Sequence, residues 1–131
     1  MMCKASECQD EAGRYNLVFA CSGASDVGEI ADQAARQLSR EEIACICATA
    51  AIAAGIPEIL EKAAGATRII AIDGCNRACA RKILDRRGLP DYAYVALDDL
   101  GMVRGKTPAT DENIAKAVFA AVKAFAKKAT E

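Results

Sequence analysis

Seven cysteines and no histidine make up the reactive part of this 131-residue chain. Without imidazole, a metal site must be built from thiolates, carboxylates or water. Cys75 and Cys79 stand four apart in the run Arg68-Ile-Ile-Ala-Ile-Asp73-Gly74-Cys75-Asn-Arg-Ala-Cys79. If a helix begins at Cys75, both thiols lie on one face of its first turn. Two thiols beside free helix N–H groups suit a soft metal or thiolate chemistry. Cys21 follows a candidate strand, Tyr15 to Ala20, and Cys47 ends another, Glu42 to Cys47. Four converging thiolates suit tetrahedral Zn²⁺, at metal–sulfur distances of about 2.3 Å. An iron–sulfur cluster takes the same ligands, and ligand type alone does not separate the two. Mg²⁺ and Ca²⁺ prefer oxygen and match poorly.

Thiol enzymology is the competing chemistry. Cys75 to Arg81 satisfies C-x5-R at a strand-to-helix turn, where a thiolate attacks an oxyanion held by loop N–H groups and the arginine. Against it, no Ser or Thr follows Arg81, and the interior of the loop has no glycine but does contain Cys79. Dithiol–disulfide cycling of Cys75 and Cys79 is a related possibility, although C-x3-C is not the usual C-x-x-C spacing. Any one cysteine is equally well explained as buried packing. Position has to decide.

The elements that would position these thiols are readable from aliphatic runs and their punctuation. Tyr15 to Ala20 reads as a first strand, followed by a helix from Ser25-Asp26 with Glu29 in a capping-box-like place and Val27, Ile30, Ala31, Ala34 and Leu38 on its buried face. Glu42 to Cys47 is a short second strand, with Cys45 and Cys47 on one side of it. Thr49 to Ala54 suggests a helical turn, and Pro57 opens a helix that Gly65 closes. Ile69 to Ile72 is the heart of a buried third strand, with a helix from Cys75 to Arg86-Arg87-Gly88 after it. Tyr92 to Leu97 is the fourth strand, and Met102 to Lys106 forms a small strand or a loop. Thr110 caps a last helix whose stripe is Ile114, Val118, Val122 and Phe125.

This βαβαβαβα order predicts an α/β fold in three layers, a four-stranded parallel sheet with helices on both faces. The expected strand order is 2-1-3-4, flavodoxin- or Rossmann-like, with ligands bound beyond the carboxyl ends of the strands at the switch point. Cys21, Cys47, Cys75 and Cys79 would all fall along that edge. Residues 1–13 read as a flexible arm carrying Cys3 and Cys8, and 14–131 as one domain.

Composition narrows the surroundings. A net charge of -1 argues against a nucleic-acid surface, which needs a basic excess. The polar opening residues lack the core of a signal peptide, and no apolar run reaches the roughly 20 residues of a membrane span. A cytoplasmic protein is expected, in which an odd number of cysteines is not a disulfide framework.

Cys21-Ser-Gly followed by Ser25-Asp-Val-Gly28, then Ile72-Asp73-Gly74-Cys75 with Cys79 four on, and Leu97 to Gly101 (LDDLG), together resemble the DGC-domain family. The similarity runs from about Leu17 to Lys106. That family takes its name from the Asp-Gly-Cys motif and is described as zinc-binding, with no firmly established activity. The resemblance implies a small α/β domain with cysteine-bound zinc, matching Cys21, Cys75 and Cys79, and Cys47 better than Cys45. Many relatives read Cys-Ser-Gly-Cys where this chain has Ala24, which leaves Cys45, Cys8 or water to take that place. Asp73 is either a support for the ligands or simply a turn-forming residue before Gly74.

Overall fold

The computed structural model describes residues 13–21, 23–89 and 91–129. The expected arm, with Cys3 and Cys8, lies outside the described residues apart from Gly13. Four parallel strands, β1 (Asn16–Ala20), β2 (Cys45–Ile46), β3 (Arg68–Asp73) and β4 (Tyr92–Ala96), form one sheet in the order β2-β1-β3-β4. The register pairs Leu17 with Cys45, Ala20 with Ile72 and Asp73 with Ala96, so the carboxyl ends of the strands share one rim. The α/β sheet expected from the sequence is the one observed.

Alternation along the strands divides the core in two. Val18, Ala20, Ile70 and Ile72 face one way and pack with α1 (Asp26–Arg40) and α5 (Asp111–Ala129). Leu17, Phe19, Ile69 and Ala71 face the other way, under α2 (Thr49–Ala54), α3 (Pro57–Ala64) and α4 (Cys79–Arg86). The centres of β1 and β3, 17–20 and 69–72, are apolar without a break because both faces are covered. Cys45 and Cys47 both belong to the second cluster, as a period of two requires.

Local chemistry sets most boundaries. Ser25 caps α1 by accepting the Gly28 N–H at 3.0 Å, a different pair from the Asp26–Glu29 arrangement expected. Asp26 instead accepts the Gly105 and Val27 N–H groups, at 2.9 and 2.8 Å. Those bonds, Gly105's foremost, hold its carboxyl below the usual range and tie the 103–107 loop to the start of α1. That loop forms no strand. Gly55, at φ 73°, ends α2, and Pro57 opens α3. Thr110 accepts the Asn113 N–H at the start of α5.

Three expectations need correction. Helix α4 begins at Cys79 and not at Cys75, so the two thiols do not share a helical face. Leu97 leaves the fourth strand and starts a 3₁₀ turn over Leu97–Leu100. The buried stripe of α5 is Ala117, Val118, Ala121 and Phe125, while Val122 is 40% exposed. Alanines at 117 and 121 meet those of α1 at 31, 34 and 35, and small side chains let the two helices approach closely. No helix among the described residues is long and apolar enough to cross a membrane.

Candidate functional site

The sheet gathers chain-distant thiols at its carboxyl rim. Cys21 directly follows β1, and its N–H donates to Ile72 O on β3 at 3.2 Å. Cys47 directly follows β2, and its N–H donates to Val18 O on β1 at 3.0 Å. Both residues are therefore pinned by ladder hydrogen bonds to the neighbouring strand. Thr49 closes the corner between them, its hydroxyl donating to Ala20 O at 2.7 Å. This rim is where open parallel sheets place ligands.

The Asp-Gly-Cys turn delivers the third thiol. The Asp73 side chain is 1% exposed and stands where a helix cap belongs. It accepts the N–H groups of Ala80 at 2.8 Å and Arg81 at 3.0 Å, the second and third residues of α4. Ala78, at the N-cap position, has no side-chain cap and sits at φ 52°, so the carboxylate five residues back replaces it. Cys79 is thus fixed as the first residue of α4. Gly74 is required by close approach: a Cβ there would lie 2.7 Å from the carbonyl carbon and oxygen of Val27. Its N–H donates to Cys21 Sγ at 3.4 Å, which couples the first and third loops directly. Asp73 and Gly74 therefore orient the site without occupying it, and neither role is visible in the bare motif.

Cys21, Cys47 and Cys79 line one pocket of about 790 Å³. All three are free thiols; Cys79 is exposed, Cys21 half-buried and Cys47 buried. Burial pushes the Cys21 thiol above its ordinary value, with Gly74's N–H opposing and Asp73 and Cys79 reinforcing. Burial likewise raises Cys47, opposed by the charge of Lys62 and the Ala48 N–H. Cys75, also free, is not among the residues lining this pocket and packs against the α1–α5 cluster. Its separation follows from the late start of α4, which leaves 75–78 as a turn. Cys45 is buried and disulfide-bonded, so it offers no thiolate as it stands. Cys8 lies outside the described residues.

In kind, the donors fit a soft metal: three unbonded thiols with no competing imidazole. In spacing, no three Cys, Asp or Glu side chains among the described residues are close enough to hold one ion. Binding therefore requires the thiols to draw inward. Cys21 and Cys47 are held by the sheet and Cys79 by the start of α4, and Cys79 is the exposed one of the three. Lys62, Arg36 and Asp32 also line the pocket and were not singled out from the sequence. On α1 and α3 they read as ordinary solvated helix charges, and only the tertiary structure brings them to the thiols.

The C-x5-R reading does not obtain its oxyanion hole. The Arg81 guanidinium lies over the Tyr94 ring, 4.9 Å from its centroid, and the N–H groups of Ala80 and Arg81 are taken by Asp73. Tyr94 completes the cluster by donating its hydroxyl to Asp73 Oδ2 at 2.8 Å. Burial first, then this bond, raises the Tyr94 hydroxyl well above its ordinary value. Its protonated form is thus favoured by folding, and its contribution is present below about pH 10 and lost as pH rises further. Tyr94→Phe should cost about 1 kcal/mol at pH 7 and flatten part of the alkaline loss of stability, measured by denaturant titration at pH 7 and 10.5.

The burial order predicts the order of thiol modification. In the metal-free native chain at pH 8, iodoacetamide should label Cys79 first and Cys47 at least roughly tenfold more slowly, read by peptide mass spectrometry. In denaturant the difference should vanish. Equal native rates at Cys47 and Cys79 would contradict the geometry.

Comparison with known proteins identifies the family. The family model of the DGC domain matches residues 17–122, extending past the sequence motifs into α5. The "Anaerobic and virulence modulator AnvM" of Pseudomonas aeruginosa is 30% identical over 86 residues. That alignment spans 66% of this chain and 66% of AnvM, just under two thirds of the relative's length. No solved structure matches the chain. With the motif present and the family model matched over most of its length, the chain belongs to the DGC-domain family.

Proposed function

We propose that this protein binds zinc through thiolates at the carboxyl rim of its sheet. The observation that supports the reading is the meeting of three free thiols, Cys21, Cys47 and Cys79, from three separate loops around one pocket. Cys75, four residues before Cys79, becomes a fourth donor only if the 75–78 turn carries it out of its packing against the α1–α5 cluster. Among common divalent ions, zinc best suits a tetrahedral thiolate set. With four thiolates the ion is coordinatively closed and staples the loops after β1, β2 and β3 together. With three it keeps a position for water or another ligand. Thiol-based catalysis at Cys75 is the alternative, and the engagement of Arg81 with Tyr94 and of the α4 N–H groups with Asp73 weighs against it.

Elemental analysis of the full chain purified without chelator tests the proposal. About one zinc per chain is expected, lost in Cys21→Ser and Cys79→Ser. A zinc-free, folded wild type that takes up none on titration would refute it. Visible absorbance after anaerobic purification would instead identify an iron–sulfur cluster. Removing bound metal should lower stability by about 3 kcal/mol for zinc present at a hundred times its Kd, seen as a fall in Tm on adding chelator.

A further inference from the structure

Helix α5 is apolar on two sides, and the core uses only one of them. Ala117, Val118, Ala121 and Phe125 are buried in the core shared with α1. Phe119 is 72% exposed, the most exposed large hydrophobic side chain among the described residues, whereas Phe19 and Phe125 are buried. Val122, one turn on, is 40% exposed, and Ala115 and Ala126 are exposed too. Steps of four, three and four residues separate 115, 119, 122 and 126, which is the spacing of a coiled-coil seam. A helix face meant only for water would be polar at these places.

The two halves of the helix carry opposite charge along this seam. Asp111 and Glu112 open it, and Lys123 stands exposed in its second half. Glu112 leans along the same face, 3.5 Å from Lys116. Phe119 is near the middle of the 19 residues. Glu112 lies seven residues before it and Lys123 four after. In an antiparallel pair centred on Phe119, the Lys123 of one copy is therefore offset from the Glu112 of the other by about 4.5 Å, less than a helical turn. Asp111 and Glu112 together then offset Lys116 and the incoming Lys123. A parallel pair would set Lys123 against Lys123 and Glu112 against Glu112. The helix dipoles favour the antiparallel arrangement as well.

We propose that α5 is a self-association surface, on which a second copy of this chain docks its own α5 antiparallel, with Phe119 and Val122 of both copies at the centre. Such a pair uses the same patch on both copies, so it closes on itself and stops at two. One helix pair falls short of the roughly 1,000 Å² of a stable interface, so the dimer is weak, with Kd on the order of 10 μM. No residue of α5 lines the thiol pocket, and the proposal does not depend on the metal.

Sedimentation equilibrium of the full chain, loaded from roughly one-tenth to twenty times that Kd, tests it. The mean mass should rise with concentration from 13.8 kDa toward twice that value. Phe119→Glu should stay at the monomer mass throughout, and Lys123→Glu should weaken association roughly fivefold. An equimolar mixture of Lys123→Glu and Glu112→Lys chains should associate more tightly than either variant alone, because both ends of the seam then join opposite charges. Unchanged circular dichroism would establish that the variants fold, as expected for exposed positions. A wild type that stays monomeric over this range, its seam left to a different protein, would overturn the proposal. So would growth past two copies, or a dimer that persists in Phe119→Glu through thiols, metal or another face. A mixture no tighter than the single variants would overturn the antiparallel pairing.

Discussion

Gly74→Ala is expected to destabilise the protein by about 2–3 kcal/mol, the upper part of the range for overpacking a closed site. The added Cβ would meet the carbonyl carbon and oxygen of Val27 at 2.7 Å and the amide nitrogen of Gly28 at 2.8 Å. These are backbone atoms of the first turn of α1, not the ends of flexible side chains. That turn is held by the Ser25 cap and by the bonds of Asp26 to Val27 and Gly105. Relief therefore requires either α1 or the 73–78 turn to shift. A shift of the turn would also lengthen the 3.4 Å contact between the Gly74 N–H and Cys21 Sγ. For a domain of this size, Tm should fall by about 10 °C, measured by calorimetry. A variant within about 2 °C of wild type would show that the turn yields freely and that the close approach does not constrain it.

Asp73→Ala should cost about 3 kcal/mol and loosen the site at the same time. One carboxylate satisfies two helix N–H groups and the Tyr94 hydroxyl, and removal leaves all three without it. Ala78 cannot take over, since alanine has no capping atom and already lies in the left-handed region at φ 52°. Asp73→Asn keeps the shape and one acceptor but turns an amide nitrogen toward donors, so it should lose about half as much. The ordering Ala worse than Asn worse than wild type, read from urea denaturation midpoints, separates capping from packing. In both variants, amide exchange at Cys79 to Arg81 should accelerate beyond that of the strands. If Asp73→Ala unfolds no more easily than Tyr94→Phe, the capping account fails.

The parts of the structure legible in the sequence are those governed by local or periodic signals. Unbroken apolar runs at 17–20 and 69–72 mark strands covered on both faces. Ser25, Pro57 and Thr110 mark helix starts because a cap or a fixed φ acts within a turn of itself. The strand order then places Cys21 and Cys47 at one rim. The start of α4 was not legible, because Cys-Asn-Arg-Ala contains no breaker. What delays the helix is tertiary: Gly74 is pressed against α1, and Asp73 reaches forward to the N–H groups of residues 80 and 81. The separation of Cys75 from the pocket follows from that delay. The α5 stripe shifted for a related reason, since alanines at 117 and 121 carry little hydrophobic signal yet are fully buried in the core shared with α1. The pocket's Lys62 and Arg36 gave no sequence signal, because a charge near a helix end already has a local explanation.

The central claim is that thiols distant in the chain act together on one ion. X-ray absorption at the zinc edge of the zinc-loaded full chain tests it most directly. The account predicts three or four sulfur neighbours at about 2.3 Å, falling by one in Cys21→Ser or Cys79→Ser. A first shell of oxygen and nitrogen alone, or a sulfur shell unchanged in both variants, would contradict it.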